Sequence, residues 1–117
     1  MEYLEFREFR EFTRRISDTA TDSELLELQL ELCQHPDKGD LIQKTGGARK
    51  VRMRLPHRGK RGGARVIYYW QDVFGVIWLL KAYAKNEASD LTDKERKTIS
   101  DIISEIKRGD YDQTKAH

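Results

Sequence analysis

The sequence has few of the residues that staple a chain or carry it across a membrane. Cys33 is the lone cysteine in 117 residues, so no intrachain disulfide can form, and a reducing cytosol fits better than an export compartment. No apolar run nears the ~20 residues that a membrane span needs. The amino terminus, MEYLEFREFREF, is charged every few residues, so neither a signal peptide nor a membrane anchor is expected, and the cytoplasm is the expected location. Zinc would have to be assembled from Cys33, His35, His57 and His117. These are a core-like thiol, a helix end, a loop position and the chain end, and they make a poor tetrahedral set. The most informative absence is acid. Residues 41–71 hold no Asp or Glu but nine Lys and Arg, a charge of +9, which leaves 13 basic against 20 acidic side chains, or −7, elsewhere. That middle offers no carboxylates for magnesium or calcium, so no metal or other cofactor is expected.

A chain of this length makes a single domain that buries about two-thirds of its unfolded surface. Its overall charge of +2 conceals one strongly cationic face and an acidic remainder. That division draws a polyanion to one side and limits indiscriminate adhesion. Nucleic acid is therefore the first partner to consider.

Hydrophobic spacing places the elements. Phe6, Phe9, Phe12 and Ile16 recur at three and four, which predicts a helix after a short strand. Thr21 or Asp22 can cap a second helix, and Pro36 ends it. Leu25, Leu26, Leu28, Leu30, Leu32 and Cys33 give this helix a wide apolar face, with Glu24, Glu27 and Glu31 on a solvated one. From Ala48 the period becomes two. Arg49, Val51, Met53 and Leu55 fall on one side, and Lys50, Arg52 and Arg54 on the other. Pro56 closes this strand and HRGKRGG forms a hairpin loop. ARVIYYWQ and VIWLLKAYAK, either side of a turn at residues 72–75, complete a meander. Tyr68 and Trp70 read as core more readily than as base-stacking platforms. Thr92 caps a last helix with Glu95 as its capping-box partner, Ile99, Ile102, Ile103 and Ile106 pack it, and Gly109 stops it. The expected fold is α+β: a small curved antiparallel sheet, made of a three-strand meander and a short amino-terminal strand, with an amino-terminal helical pair and a carboxy-terminal helix.

Several chemistries are excluded. HRGKRGG lacks the Gly-Lys-Ser/Thr ending of a P-loop and does not lead into a helix, and no Ser/His/Asp or Cys/His arrangement is convincing. What remains is a set of cations around the sheet: Lys50, Arg52, Arg54, Arg58, Lys60, Arg61, Arg65 and Lys85. Such a set can bind RNA phosphates or cleave RNA without metal, because the 2′-hydroxyl is already the nucleophile. The protein then has to align it, accept its proton, neutralise the phosphorane and protonate the leaving 5′-oxygen. Crowding lowers a lysine pKa, which suits Lys60 or Lys85 to proton exchange, whereas Arg65 stays charged and forks onto non-bridging oxygens. The plainer reading of Arg52 and Arg54 is a solvated basic face. Lys81 and Lys85 share the face of Arg65 only if the turn after Gln71 has an odd number of residues, because a slip of one reverses every side chain.

The stretches GDLIQKTGGARKVRM, GKRGGARVIYYW and LLKAYAKNEASDLT resemble the HigB-like branch of the RelE/ParE toxin superfamily, the ribosome-dependent messenger-RNA interferases of bacterial type II toxin–antitoxin pairs. The resemblance runs from about Pro36 to the final helix, and the first 35 residues agree in pattern only. It implies a RelE-like fold, cleavage of messenger RNA in the ribosomal decoding site, and a cognate antitoxin with a helix-turn-helix domain. It also implies that Arg65 contacts the scissile phosphate, that Lys60 and Arg61 lie in a basic loop, and that Lys85 is the cation ending the last strand. Lys50, Arg52, Arg54 and Arg58 would then hold the RNA backbone, while Asn86, Glu87 and Asp90 would hold the turn into the last helix. The RelE branch places a tyrosine shortly after this motif where the chain has Leu91, which leaves the base that accepts the 2′ proton open. A gyrase poison like ParE and a non-catalytic RNA or antitoxin binder are the rival functions.

Overall fold

The computed structural model describes residues 4–55, 63–84 and 90–111. The elements run β1 (Glu5–Glu8), α1 (Arg10–Thr19), α2 (Asp22–Gln34), β2 (Asp40–Leu41), β3 (Ala48–Met53), β4 (Ala64–Gln71), β5 (Val76–Ala84) and α3 (Asp93–Arg108). The α+β class and the β3–β4–β5 meander are as the periodicity predicts. The sheet is larger and mixed, in the order β1-β5-β4-β3-β2, because β1 adds to the far edge of β5 in parallel and β2 adds two residues to β3. A central strand covered on both faces reads as a continuous apolar run, and VIWLLKAYA is buried along β5 at every residue except Lys81.

Helix α3 lies over the face that carries Ala48, Tyr69 and Lys81. The ammonium of Lys107 sits 5.8 Å above the Tyr69 ring and donates to the Gly46 carbonyl, and Lys81 reaches Glu95. On the opposite face, Leu28 of α2 shares a cleft with Val51 and Met53. Both long helices start on capping boxes. Thr21 rather than Asp22 caps α2, and Thr92 caps α3 with Glu95.

Helix α2 departs from its expected faces in two ways. Its apolar face is narrow: Leu28 and Leu32 are buried, Leu25 and Cys33 are half-buried, and Leu26 and Leu30 are exposed. One side of a surface helix meets the sheet, and these two leucines point away from it. Glu24 does not belong to the solvated acidic face, because its carboxylate folds back to accept from the Thr21 amide at 2.8 Å and is buried.

The exit of α2 is tied down by Tyr68, which is fully buried. Its hydroxyl donates to the Pro36 carbonyl at 2.7 Å and accepts from the Gly39 amide at 2.9 Å, and burial pushes its pKa up. Gly39 allows this approach, since a Cβ there would lie 2.8 Å from Cε1 of Tyr68. Tyr68→Phe leaves a buried donor and acceptor unpaired, so unfolding in urea should show a stability loss of about 1–3 kcal/mol with an unchanged m-value. An unchanged midpoint would show that water satisfies both groups.

Candidate nucleic-acid interface

The site begins with a register. β4 pairs with β3 and β5 so that Lys50, Ile67 and Lys81 form one rung across the sheet, and Arg52, Arg65 and Tyr83 form the next. Directly opposed residues in a ladder share a face, so Arg65 and Lys81 lie on the same side. The turn alone would not have achieved this. Gln71 pairs with Val76, leaving four residues, Asp72 to Gly75, between them. By the parity rule an even turn sends Lys81 to the far side. A β-bulge between Ile67 and Tyr68 leaves Leu80 without a partner and restores the face. A bulge of this kind re-aims the side chains beyond it.

Arg65 is seated by Gly63. Gly63 has φ +58°, and a Cβ on it would lie 2.2 Å from the Met53 carbonyl oxygen. Only a residue without a side chain lets the chain cross the end of β3 this closely and enter β4 at Ala64. The Gly-Gly-x-Arg spacing thus has a steric cause: Arg65 stands two residues beyond an obligatory glycine, on a strand paired on both edges.

The start of α3 neutralises one rung. Lys81 donates to Glu95 Oε2 at 2.7 Å and lies 3.8 Å from Glu11, and Lys50 lies 3.8 Å from Asp90. Asp90 is occupied further: Oδ1 accepts from the Leu91 amide at 2.8 Å and Oδ2 from Arg96 at 2.9 Å. The Leu91 amide is the chief cause that holds the Asp90 carboxyl below its usual range. The hydrogen bond from Lys81 does the same for Glu95, which sits at about 2. Asp90 thus holds the entry to α3, the role expected of its motif.

The other rung is more open. Arg52 and Arg54 are exposed, with no ion pair among the described residues, and Arg65 is half-buried. Tyr83, directly opposite Arg65, is 6% exposed. Burial, reinforced by Asp90 and opposed by Arg65, pushes its phenol pKa up. Tyr83 is therefore a hydrogen-bond donor at neutral pH and not a base. Sequence reading passed over it, although its spacing of two from Lys81 places it on the Lys81 side of the strand. Of the other sequence candidates, Arg58, Lys60, Arg61 and Lys85, with Asn86 and Glu87, lie outside the described residues. Among the described residues no group of His, Cys, Asp and Glu is placed to hold a metal ion, and no helix is long and apolar enough to cross a membrane.

No family model matches the chain. Among solved structures it is similar to a double mutant of the Escherichia coli toxin RelE in the free state, at 13% identity and a TM-score of 0.57 over 76% of this chain and 90% of that one. It is also similar to the archaeal RelE–RelB complex from Pyrococcus horikoshii OT3, at 23% identity and a TM-score of 0.51 over 74% of this chain and 100% of that one. The chain has the RelE fold. On this RelE-like scaffold the Arg52–Arg65–Tyr83 rung lies on the same face as α3 but beyond the rung that Glu95 and Asp90 neutralise. A polyanion approaching that face therefore meets the exposed Arg52 and Arg54, which have no ion pair among the described residues, before it meets Lys50 and Lys81.

Proposed function

We propose that this protein is the toxin of a type II toxin–antitoxin pair, of the HigB-like kind, and that it cuts messenger RNA in the ribosomal A site without a metal ion. The observation that carries the reading is Arg65 fixed on a rigid central strand of a RelE fold, flanked across the sheet by Arg52 and Tyr83. The reaction suited to such a site is attack of the RNA 2′-oxygen on the adjacent phosphorus. The O2′–P bond forms, the P–O5′ bond breaks, and the products are a 2′,3′-cyclic phosphate and a free 5′-hydroxyl. Arg65 supplies the fork that stabilises the phosphorane. Arg52, Arg54 and Lys50, with Arg58, follow the backbone, while Lys60, Arg61 and Lys85 complete the cationic set. The partners in this reading are the ribosome, its message and a cognate helix-turn-helix antitoxin, and the place of action is the cytoplasm.

The test is an in vitro translation reaction with purified protein, in which message ends are mapped by primer extension with and without ribosomes. New ends that require ribosomes are the expected result. Intact messages in both reactions would reject the nuclease, and a gyrase supercoiling assay would then test the ParE-like alternative.

A further inference from the structure

Tyr83 carries a polar group that the fold leaves unused. Its hydroxyl is buried and has no hydrogen-bond partner among the described residues, an arrangement that costs a folded protein stability and calls for an explanation. Acceptors are close by, since Asp90 and Glu95 both act electrostatically on this phenol. Their oxygens are already engaged. Asp90 accepts from Leu91 and Arg96, and Glu95 accepts from Thr92 through Oε1 and from Lys81 through Oε2. The fold has thus supplied other donors to both neighbouring acids and left the tyrosine hydroxyl as a spare donor, directly across the β4–β5 ladder from Arg65.

We infer that Tyr83 and Arg65 together form a two-donor clamp for a single RNA phosphate. The inference rests on the proposed nuclease reading and extends it by one residue. The guanidinium forks onto one edge of the phosphate, and Tyr83, paired with Arg65 across the β4–β5 ladder, faces the same anion. The Tyr83 O–H then donates to a non-bridging oxygen. No proton is transferred: with its pKa raised, the phenol keeps its hydrogen, and its contribution is a neutral donor fixed in place before the charge develops. A lysine or arginine there would add a like charge beside Arg65 and Arg52, and a neutral hydroxyl adds a contact without that repulsion. The buried ring, packed in the core, holds the oxygen in position.

Tyr83→Phe tests this because it removes one oxygen and leaves the ring in place. Three measurements are made on wild type and variant: thermal melting, binding of a short 2′-O-methyl oligoribonucleotide that cannot be cleaved, and ribosome-dependent message cleavage. The variant is expected to melt no lower than wild type, since an unpaired buried hydroxyl is lost, and to bind the oligonucleotide about tenfold or more weakly, as for one hydrogen bond to a charged group. A variant that melts lower than wild type would show that the hydroxyl is satisfied within the fold, which overturns the clamp. Equal binding by the two proteins, or no binding by wild type, overturns it as well. The two readings fail separately: binding that depends on Tyr83 without any cleavage of messages would leave the clamp standing and remove the nuclease, and cleavage untouched by the substitution would do the reverse.

Discussion

Arg65→Ala should lower ribosome-dependent cleavage by about 10²–10³-fold, the usual cost of removing one preorganised donor from a site where negative charge develops. The chain should still be captured by its antitoxin, and its expression should no longer arrest growth. The size of the effect follows from placement. Arg65 pairs with Arg52 on one side and Tyr83 on the other, so its backbone is fixed at both edges and only the side chain has to move when the phosphate arrives. An arginine on a loop tip would spend much of its interaction energy on ordering itself. Arg65→Lys separates charge from geometry, because lysine keeps the positive charge but offers a point where arginine offers a planar fork. If shape matters, the lysine variant falls between wild type and alanine, losing roughly tenfold or more in rate, equivalent to ~1.4 kcal/mol of transition-state stabilisation. Growth arrest retained in Arg65→Ala would remove this residue from the site.

Much of the geometry of the candidate site was legible in the order of residues. Alternation from Ala48 to Leu55 placed Lys50, Arg52 and Arg54 opposite the packing face, and the burial of Val51, Met53 and Leu55 agrees. The capping box of α3 was legible because Thr92 and Glu95 sit three residues apart in one local frame, whereas Glu24, the other half of the α2 box, read as part of a solvated face. Other features depend on contacts between distant segments, which no local pattern encodes. The parallel pairing of Glu5–Glu8 with Val76–Leu79 joins segments about seventy residues apart. β2 is two residues long and has no periodicity to read. Whether Lys81 faces Arg65 depended on an unpaired Leu80 inside an unbroken apolar run, where one leucine looks like the next. The pairing of Lys50 and Lys81 with Asp90 and Glu95 was likewise beyond reach. It requires knowing where α3 lands on the sheet, and this placement decides which cations are left exposed.

Gly63→Ala should be the most damaging single-methyl change in the described chain, and comparison with Gly109→Ala shows why. Both glycines have positive φ, +58° and +77°, so alanine pays a similar backbone penalty at each, about 1–2 kcal/mol. Their surroundings differ. Nothing lies within 4 Å of a Cβ at Gly109, whereas a Cβ at Gly63 would meet the Met53 carbonyl oxygen at 2.2 Å and the Leu55 amide nitrogen at 3.3 Å. Those atoms are backbone, and they can yield only if the end of β3 and the entry to β4 separate. That movement breaks the last rungs of the ladder, where Met53 faces Ala64 and Arg52 faces Arg65. The expected destabilisation is about 3–5 kcal/mol, which is a large part of the ~5–15 kcal/mol that holds a domain folded. In a melting experiment Gly63→Ala should therefore unfold roughly 10 °C below Gly109→Ala, since the two differ by about 2–3 kcal/mol at roughly 3–5 °C per kcal/mol for a chain of this size. Any fraction that folds should also cleave poorly, because the strand that aims Arg65 has been displaced. Equal melting temperatures for the two variants would mean that β3 yields at no cost. The glycine would then serve only the left-handed backbone, and the steric account of the Gly-Gly-x-Arg spacing would have to be abandoned.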